Sequence, residues 1–268
     1  EGRPGWHIEC SVMSTKFLGE TIDIHAGGQD LIFPHHENEI AQSEAYSDKP
    51  FAHYWMHNGY ININNEKMSK SKGNFFTVRD ILAQYDAEVL RFFILSAQYR
   101  NPINFSEELI MQASNGLERL YNTKENLLYA VETGEAVSLT VTEAEILSGL
   151  ERHKVRFIEA MDDDLNTADG IAAIFELVRD INSNLQEAPT KAFAENAYAL
   201  LMELAGVLGI LGREKGGLDA EIEALIAERQ DARKNKNFAK SDEIRDKLKA
   251  MGIVLEDTPQ GVKWSKVK

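Results

Sequence analysis

The sequence predicts a mostly helical, multi-domain protein: an α/β domain, then a helix bundle, then a small domain of two helices and a hairpin. Three observations support this fold class. Strand-like and helical segments alternate in the first hundred residues, among Gly, Pro and His. Leu, Ile, Phe and Ala then recur three and four residues apart up to residue 212. A Gly-rich break at residues 211–217 separates the last fifty residues.

The first domain is predicted from short segments with clear boundaries. Residues 22–25 alternate like a strand and run into two glycines. Pro34 is predicted to begin a helix that continues through Tyr46, because proline is favoured in a first turn. The aromatic-rich stretch 53–63 is again strand-like, and Thr77 caps a predicted helix through Tyr85. We therefore expect residues 1–88 to form one α/β domain.

The bundle is predicted from helical spacing that begins at Val89 and from a helix start at Ser106. Its long helical patterns cover residues 106–132, 141–161, 167–186 and 190–212. The Met and aromatic residues in these patterns are assigned to the core. We expect the bundle to cover residues 89–213.

The last domain is predicted over residues 218–268. Helical patterns at 218–235 and 237–250 precede two strand-like segments joined by a turn at residues 258–261. The whole chain has a net charge of -14, yet this segment holds 11 Lys/Arg against 10 Asp/Glu. Because like charges repel, a nucleic-acid contact is expected in this domain rather than elsewhere.

Composition limits the classes of protein to consider. No apolar run approaches the roughly 20 residues of a membrane-spanning helix, and no signal-peptide pattern is present. The single cysteine excludes an internal disulfide. We expect a cytoplasmic protein. The opening Glu1–Trp6, without an initiator Met, is typical of a piece of a longer protein.

A first group of residues has the chemistry of a metal site. His35 and Glu39 are four residues apart on a predicted helix, a spacing that places both on one face. Imidazole, carboxylate and the thiolate of Cys10, approaching from the other side of the sheet, are ligands that zinc accepts. His36 and Glu37 are expected to point elsewhere. The alternative is a chance pair that faces solvent.

A second group is the lysine-rich loop at residues 67–74, between a strand and a capped helix. Lysines on a Ser/Gly-rich loop can close over a polyphosphate and neutralise the charge that develops on a leaving pyrophosphate. The alternative is an ordinary solvated loop.

Lys67-Met68-Ser69-Lys70-Ser71 matches the KMSKS signature of class I aminoacyl-tRNA synthetases. Residues 5–11, 25–31, 34–39 and 252–257 resemble the cysteinyl-tRNA synthetases of that class, in consistent order along the whole chain. The resemblance implies the second half of a Rossmann-like catalytic domain, a stem-contact region with a helix bundle, and an anticodon-binding domain. It also implies ligation of L-cysteine to tRNA-Cys with Mg-ATP as a substrate, by a monomer.

The resemblance implies one zinc ion held by Cys10, His35 and Glu39, with a further cysteine ligand far upstream that this sequence does not contain. The His-Ile-Gly-His motif that binds ATP in the family is also outside this sequence. The chain alone is therefore expected to be inactive in adenylate formation. Trp6 and His25 are implied to line the cysteine pocket, although His25 could also be a core histidine.

Lys67 and Lys70 are implied to stabilise the transition state of cysteine activation, with Lys70 in direct contact with ATP. Gly28 and Asp30 are implied to lie near the ribose, although Asp30 could instead cap a helix.

The resemblance also implies a set of anticodon contacts in the last domain. They are Arg229, Arg233, Phe238, Asp242, Asp257 and Trp264. Single-stranded bases are recognised by stacking and by polar contacts to their edges. The alternative is that Phe238 and Trp264 form the core of the small domain.

Two other functions are compatible with parts of the sequence. A ligase of the same fold joins cysteine to an aminosugar in mycothiol synthesis and shares the zinc and lysine-loop motifs, but it has no anticodon domain. The other alternative is a non-catalytic tRNA-binding fragment.

Overall fold

The computed structural model describes residues 2–64, 66–68, 76–134, 138–185, 189–213, 217–235, 237–258 and 261–266. The chain divides into two compact units, Glu1–Leu211 and Gly212–Lys268. No helix in these ranges is both long enough and apolar enough to cross a membrane.

The first unit begins with a parallel strand pair and two helices. Strands β1 (Ile22–Gly28) and β2 (Ala52–Asn58) are parallel, with His25 opposite Trp55. Between them the chain forms a 3-10 turn, a wider turn at Ile32–His36 and helix α2 (Glu37–Ser47). The α-helix therefore starts three residues after Pro34, because Phe33 in the wide turn has an extended backbone. The strand at 22–25 and the helix ending near Tyr46 are confirmed.

Helix α1 (His7–Leu18) packs against α2 and was not predicted. Its apolar residues Val12, Met13, Phe17 and Leu18 are exposed in this structure, so they form no core-facing stripe that periodicity could reveal. On β1 and β2 the neighbouring Ile24 and Tyr54 are also exposed.

The predicted strand at 53–63 is two strands, which is a correction. After β2 the chain bends at Gly59, and β3 (Ile61–Ile63) joins a second sheet, antiparallel to β4 (Glu66–Lys67) and parallel to β5 (Ile103–Phe105). The N–H of Gly59 donates to the carbonyl of Tyr99 at 2.8 Å. A Cβ at this glycine would lie 2.4 Å from the main chain of Asn101. The break therefore depends on a segment forty residues away.

Helix α3 (Val78–Leu82) is capped by Thr77 as predicted, but it ends at Leu82 and not at the predicted Tyr85. The hydroxyl of Thr77 accepts from the amide of Asp80 at 3.2 Å, and the Asp80 carboxylate accepts from the amide of Thr77 at 2.7 Å. This reciprocal capping box satisfies two backbone donors that the first turn would otherwise leave free.

Within the described residues, five further helices form the bundle. They are α4 (Ala87–Leu95), α5 (Glu107–Thr133), α6 (Val141–Asp162), α7 (Thr167–Asn184) and α8 (Lys191–Leu208). Ser106, Thr140, Asn166 and Thr190 cap α5 to α8 through side-chain oxygens. One apolar core joins α4 to α8, as the spacing predicted. The helix predicted to run to residue 212 ends at Leu208, because Gly209 adopts a left-handed conformation (φ +63).

The second unit has the predicted two helices and hairpin. Helix α9 (Gly217–Lys234) precedes α10 (Phe238–Ala250), and β6 (Ile253–Thr258) pairs antiparallel with β7 (Gly261–Lys266). A small core holds these elements together. It consists of Ile222, Ile226, Ile244, Leu248 and Ile253.

Candidate functional site

Helix α1, the wide turn Ile32–His36 and helix α2 bring together a cysteine, a histidine and a glutamate. Cys10, His35 and Glu39 each place one potential metal-binding atom within 4.8 Å of the other two. The predicted face shared by His35 and Glu39 is confirmed, with His35 Nε2 lying 2.9 Å from Glu39 Oε1. Cys10 reaches them from α1, which packs directly against α2. The predicted approach of Cys10 from the other side of a sheet is therefore wrong.

Glu39 lies at the centre of this group. Its side chain is only 1% exposed, and its Oε2 atom lies 2.5 Å from His25 Nε2. Its Oε1 atom is buried and lies 2.9 Å from Nε2 of His35, but this contact does not have hydrogen-bond geometry, so Oε1 makes no hydrogen bond within the described residues. A buried carboxylate oxygen that makes no hydrogen bond is costly. A cation bound between Oε1, the imidazole of His35 and the thiolate of Cys10 would remove that cost, so these residues fit a metal ion.

The surroundings of Cys10 favour its thiol over the thiolate. Burial raises the pKa of Cys10, and the nearby carboxylate of Glu39 raises it further. Cysteine binds metals as a thiolate. A bound divalent cation would have to displace this proton, as metals do at thiolate sites. One soft sulfur, one imidazole and one carboxylate match the ligands that zinc takes.

A second histidine cluster lies beside the first and was not predicted. His25, His36 and Glu39 also bring potential ligand atoms within 4.8 Å of one another. His36 is 3% exposed, and its Nδ1 lies 2.8 Å from Nε2 of His57. The expectation that His36 points away is therefore wrong, because His36, just before α2, already has helical backbone angles and lies three residues before Glu39, a spacing that shares a face. Burial, followed by the charge of His25, lowers the pKa of His36.

Strand alternation explains the rest of this cluster. His57 is two residues after Trp55 on β2, and side chains two apart on a strand point to the same face. The rings of Trp55 and His57 are stacked, with centroids 6.2 Å apart. The ring of His25 meets Trp55 edge-on, at 4.7 Å between centroids. The period of two along β2 could have placed Trp55 and His57 on the same face of the strand.

The two predicted cysteine-pocket residues contact different members of the group formed by Cys10, His35 and Glu39. Trp6 meets His35 edge-on, with 5.9 Å between ring centroids, and its side chain is exposed. His25 is half-buried and bonds to Glu39. A histidine held by a buried carboxylate is fixed in orientation.

The predicted nucleotide residues lie at the carboxyl end of β1. Gly28 is the last residue of β1, opposite Asn58 of β2. Asp30 lies inside the 3-10 turn Gln29–Leu31 and is exposed, so it occupies no capping position. The main chain of Lys67 pairs with Asn62 in the second sheet. Its side chain, and all of Lys70, lie outside the described residues.

The predicted anticodon residues differ in exposure. Phe238, the first residue of α10, is 63% exposed, so it does not belong to the core of the second unit. Arg233 and Asp242 are also exposed, whereas Arg229 is 6% exposed. Asp257 pairs with Val262 and Trp264 with Leu255 along the hairpin, and their side chains lie outside the described part.

Three protein families match successive parts of this chain. The family of class I (C) tRNA synthetase catalytic domains matches residues 1–115, and the DALR domain family matches residues 156–212. The cysteinyl-tRNA ligase anticodon-binding domain family matches residues 215–264.

A solved structure supports the fold. The LeuRS of Agrobacterium radiobacter, in a ternary complex with tRNA and LeuAMS, superposes with a TM-score of 0.59 over 69% of this chain and 25% of its own length. The two sequences are 18% identical in that comparison, so the likeness concerns the fold alone.

Curated relatives align along nearly the whole chain. The cysteine–tRNA ligase of Clostridioides difficile is 62% identical over 268 residues, covering 100% of this chain and 58% of the relative. The cysteine–tRNA ligase of Symbiobacterium thermophilum is 60% identical, covering 98% of this chain and 56% of the relative. The chain thus spans a little over half the length of these relatives. With this identity, and with the three families matched in order, the chain belongs to the cysteinyl-tRNA synthetase family.

Proposed function

We propose that this chain serves in cysteine–tRNA ligation, in which ATP and L-cysteine form cysteinyl-adenylate and the cysteinyl group is transferred to tRNA-Cys. The observation that carries the proposal is the group of Cys10, His35 and Glu39, in which a buried carboxylate oxygen lies 2.9 Å from His35 but makes no hydrogen bond within the described residues. The identity of 57–62% to curated cysteine–tRNA ligases supports the same reaction. Neither the aminosugar ligase nor a non-catalytic role is favoured by any feature of the structure.

In this proposal the three residues hold one zinc ion, which when bound supplies a soft Lewis acid that takes the substrate sulfur as a ligand. Serine and cysteine differ by one atom, and shape alone separates such pairs by only about 1–3 kcal/mol. A thiolate is a much better zinc ligand than a neutral hydroxyl. Selection at the metal therefore explains how the site distinguishes cysteine without an editing step.

The surrounding residues have separate tasks in the proposal. Glu39 carries the negative charge at the cation and orients His25 through their 2.5 Å contact. Trp6 and His25 line the pocket for the amino acid. Lys67 and Lys70 neutralise charge on the pyrophosphate as it leaves. Gly28 and Asp30 contact the ribose of ATP, beyond the carboxyl end of β1.

The tRNA contacts are proposed for the second unit. Exposed Phe238 offers a ring on which an anticodon base can stack, and Arg233 and Asp242 offer polar contacts from the same unit. Arg229, Asp257 and Trp264 complete the proposed set. The proposed division is a catalytic part at 1–88, a stem-contact region and bundle at 89–213 and an anticodon domain at 218–268. A cytoplasmic monomer is part of the same proposal.

Binding to transcribed tRNAs tests the proposed function. Fluorescence anisotropy would measure the affinity of the chain for tRNA-Cys, for a tRNA-Cys with a replaced anticodon and for tRNA-Ser. We expect tRNA-Cys to bind at least tenfold more tightly than the other two. Equal affinity for all three would contradict tRNA-Cys recognition and return the aminosugar ligase to consideration.

A further inference from the structure

The segment 96–102 between α4 and β5, called the strap below, contacts two distant parts of the first unit. On one side its main chain holds the carboxyl ends of both parallel strands. The carbonyl of Tyr99 accepts from the amide of Gly59, which follows β2, at 2.8 Å. The carbonyl of Arg100 accepts from the side chain of Gln29, which follows β1, at 2.7 Å.

On the other side, three consecutive side chains of the strap converge on Asp164, between α6 and α7. The hydroxyl of Tyr99 donates to Asp164 Oδ1 at 2.8 Å. The guanidinium of Arg100 forms a close ion pair with Oδ2 of the same carboxylate. Gln98 Nε2 lies 3.4 Å from both the carboxylate and the carbonyl of Asp164, and its Oε1 accepts from the amide of Arg100 at 2.7 Å.

The backbone at this junction is held in an uncommon conformation. Asp164 and Leu165 are both left-handed, with φ of 56° and 53°. Two such residues in succession, neither of them glycine, persist only where the surroundings fix them. Aspartate tolerates this conformation better than most residues. Hydrogen bonds from Arg100 and Tyr99 lower the pKa of Asp164, so its carboxylate is charged near neutral pH.

The strap lies next to the carboxyl ends of β1 and β2, beyond which a nucleotide would bind. In open parallel sheets, ligands bind beyond the carboxyl ends of the strands. Gln29 lies between Gly28 and Asp30, the two residues proposed for the ribose. The close approach at Gly59, where a Cβ would lie 2.4 Å from Asn101, leaves the strap little room to move while these contacts hold.

We propose that Asp164 is a positioning residue for the nucleotide site: it fixes the strap, and the strap fixes the Gly28–Asp30 turn. This inference rests on the proposed function, because it assigns a purpose to the ribose contacts of Gly28 and Asp30. Asp164 touches no substrate in this account. It acts from the helix bundle through Tyr99 and Arg100, so the position of the bundle influences the affinity for ATP.

Hydrogen exchange of the 268-residue chain tests the mechanical part. Asp164→Gly removes the three side-chain contacts without strain, because glycine accepts the left-handed conformation. Asp164→Asn keeps the shape and removes the charge. We expect the Gly59 amide to exchange at least tenfold faster in the glycine variant and less than that in the asparagine variant. Asp163→Asn, one residue earlier, is the matched control and should change nothing. Unchanged exchange at Gly59, or an equal increase throughout the bundle core, would overturn the proposal.

Titration with ATP, followed through the amide signals of Gly28 and Asp30, tests the functional part. We expect the Kd for ATP to rise at least fivefold in the Asp164→Gly variant, less in Asp164→Asn, and not at all in Asp163→Asn. An equal Kd in all four proteins would overturn the positioning role. If ATP shifts neither signal in the unsubstituted chain, Gly28 and Asp30 do not bind ATP in a chain without the His-Ile-Gly-His motif, and the ribose assignment fails for this chain. The positioning role then fails with it, while the exchange data still report whether Asp164 holds the strap.

Discussion

Replacing Glu39 by glutamine should remove most of the stabilisation that zinc gives to this chain. The substitution keeps the shape and deletes the charge of a side chain that is 1% exposed and whose Oε1 makes no hydrogen bond within the described residues. With free zinc at about 100 times its Kd, binding should stabilise the folded state by about 2.7 kcal/mol. Removing a residue that hydrogen-bonds to a metal ligand lowers the affinity for the metal by up to about 100-fold, and removing a ligand itself should lower it by at least as much. At that lower affinity the stabilisation falls to about 0.4 kcal/mol.

Thermal unfolding in a zinc buffer measures this difference. A change of 1 kcal/mol moves the Tm of a unit of this size by about 2–4 °C. Zinc should therefore raise the Tm of the unsubstituted chain by about 5–11 °C and that of the variant by about 1–2 °C. Glu37→Gln, an exposed acidic residue of the same helix turn, is the matched control and should keep the full rise. An undiminished rise in Glu39→Gln would refute the assignment of this carboxylate as a ligand.

Three more substitutions test other parts of the account. Gly59→Ala should destabilise the first unit by about 1–3 kcal/mol in urea unfolding, since its Cβ would overlap the main chain of the strap. Gly149→Ala, in helix α6 where a Cβ meets no other atom, should instead stabilise the unit by up to about 1 kcal/mol. Lower stability in both variants, or in neither, would contradict the described packing. Phe238→Ala should weaken binding of an anticodon stem-loop of tRNA-Cys by about 1–3 kcal/mol while changing Tm little, and an undiminished affinity would remove Phe238 from the interface. Burial alone would raise the pKa of Asp180, but hydrogen bonds from a histidine and two arginines outweigh the effect of burial and lower that pKa. The ionised Asp180 therefore contributes its full stabilisation above the unfolded pKa of about 3.8. This stabilisation is lost as pH falls through the lower pKa of the folded state. Asp180→Asn should flatten the loss of stability below pH 4, Asp162→Asn should not, and equal acid unfolding curves for the Asp180 variant and the original chain would contradict the ion pairs.

The fold was predictable wherever local chemistry decided it. Thr77 and Ser106 cap helices at the predicted positions, because capping depends only on residues within one turn. The bundle core follows the spacing of its apolar residues. The bend at Gly59 was not predictable, since it is caused by the strap forty residues later. Helix α1 was missed because its apolar side chains, such as Phe17, are exposed in this structure.

The candidate site was predictable in part. The pair His35 and Glu39 followed from helical spacing, and the structure brings the two together. Cys10 was predicted as a ligand from the chemistry of its thiolate. The direction from which it reaches His35 and Glu39 was not predicted, because helix α1 was missed. His36 was set aside although the i,i+3 relation to Glu39 was visible in the sequence. The approach of His57 to His36 needed the register of β2 against β1, which only the three-dimensional structure supplies.

The central claim is that zinc on Cys10, His35 and Glu39 selects cysteine by its sulfur, and X-ray absorption at the zinc edge tests it most directly. The spectrum of the zinc-loaded chain counts the sulfur atoms at about 2.3 Å from the metal. The account predicts one sulfur in the chain alone, two after addition of stoichiometric L-cysteine, and one after addition of L-serine. A count that stays at one with L-cysteine, or a first shell without any sulfur, would contradict it.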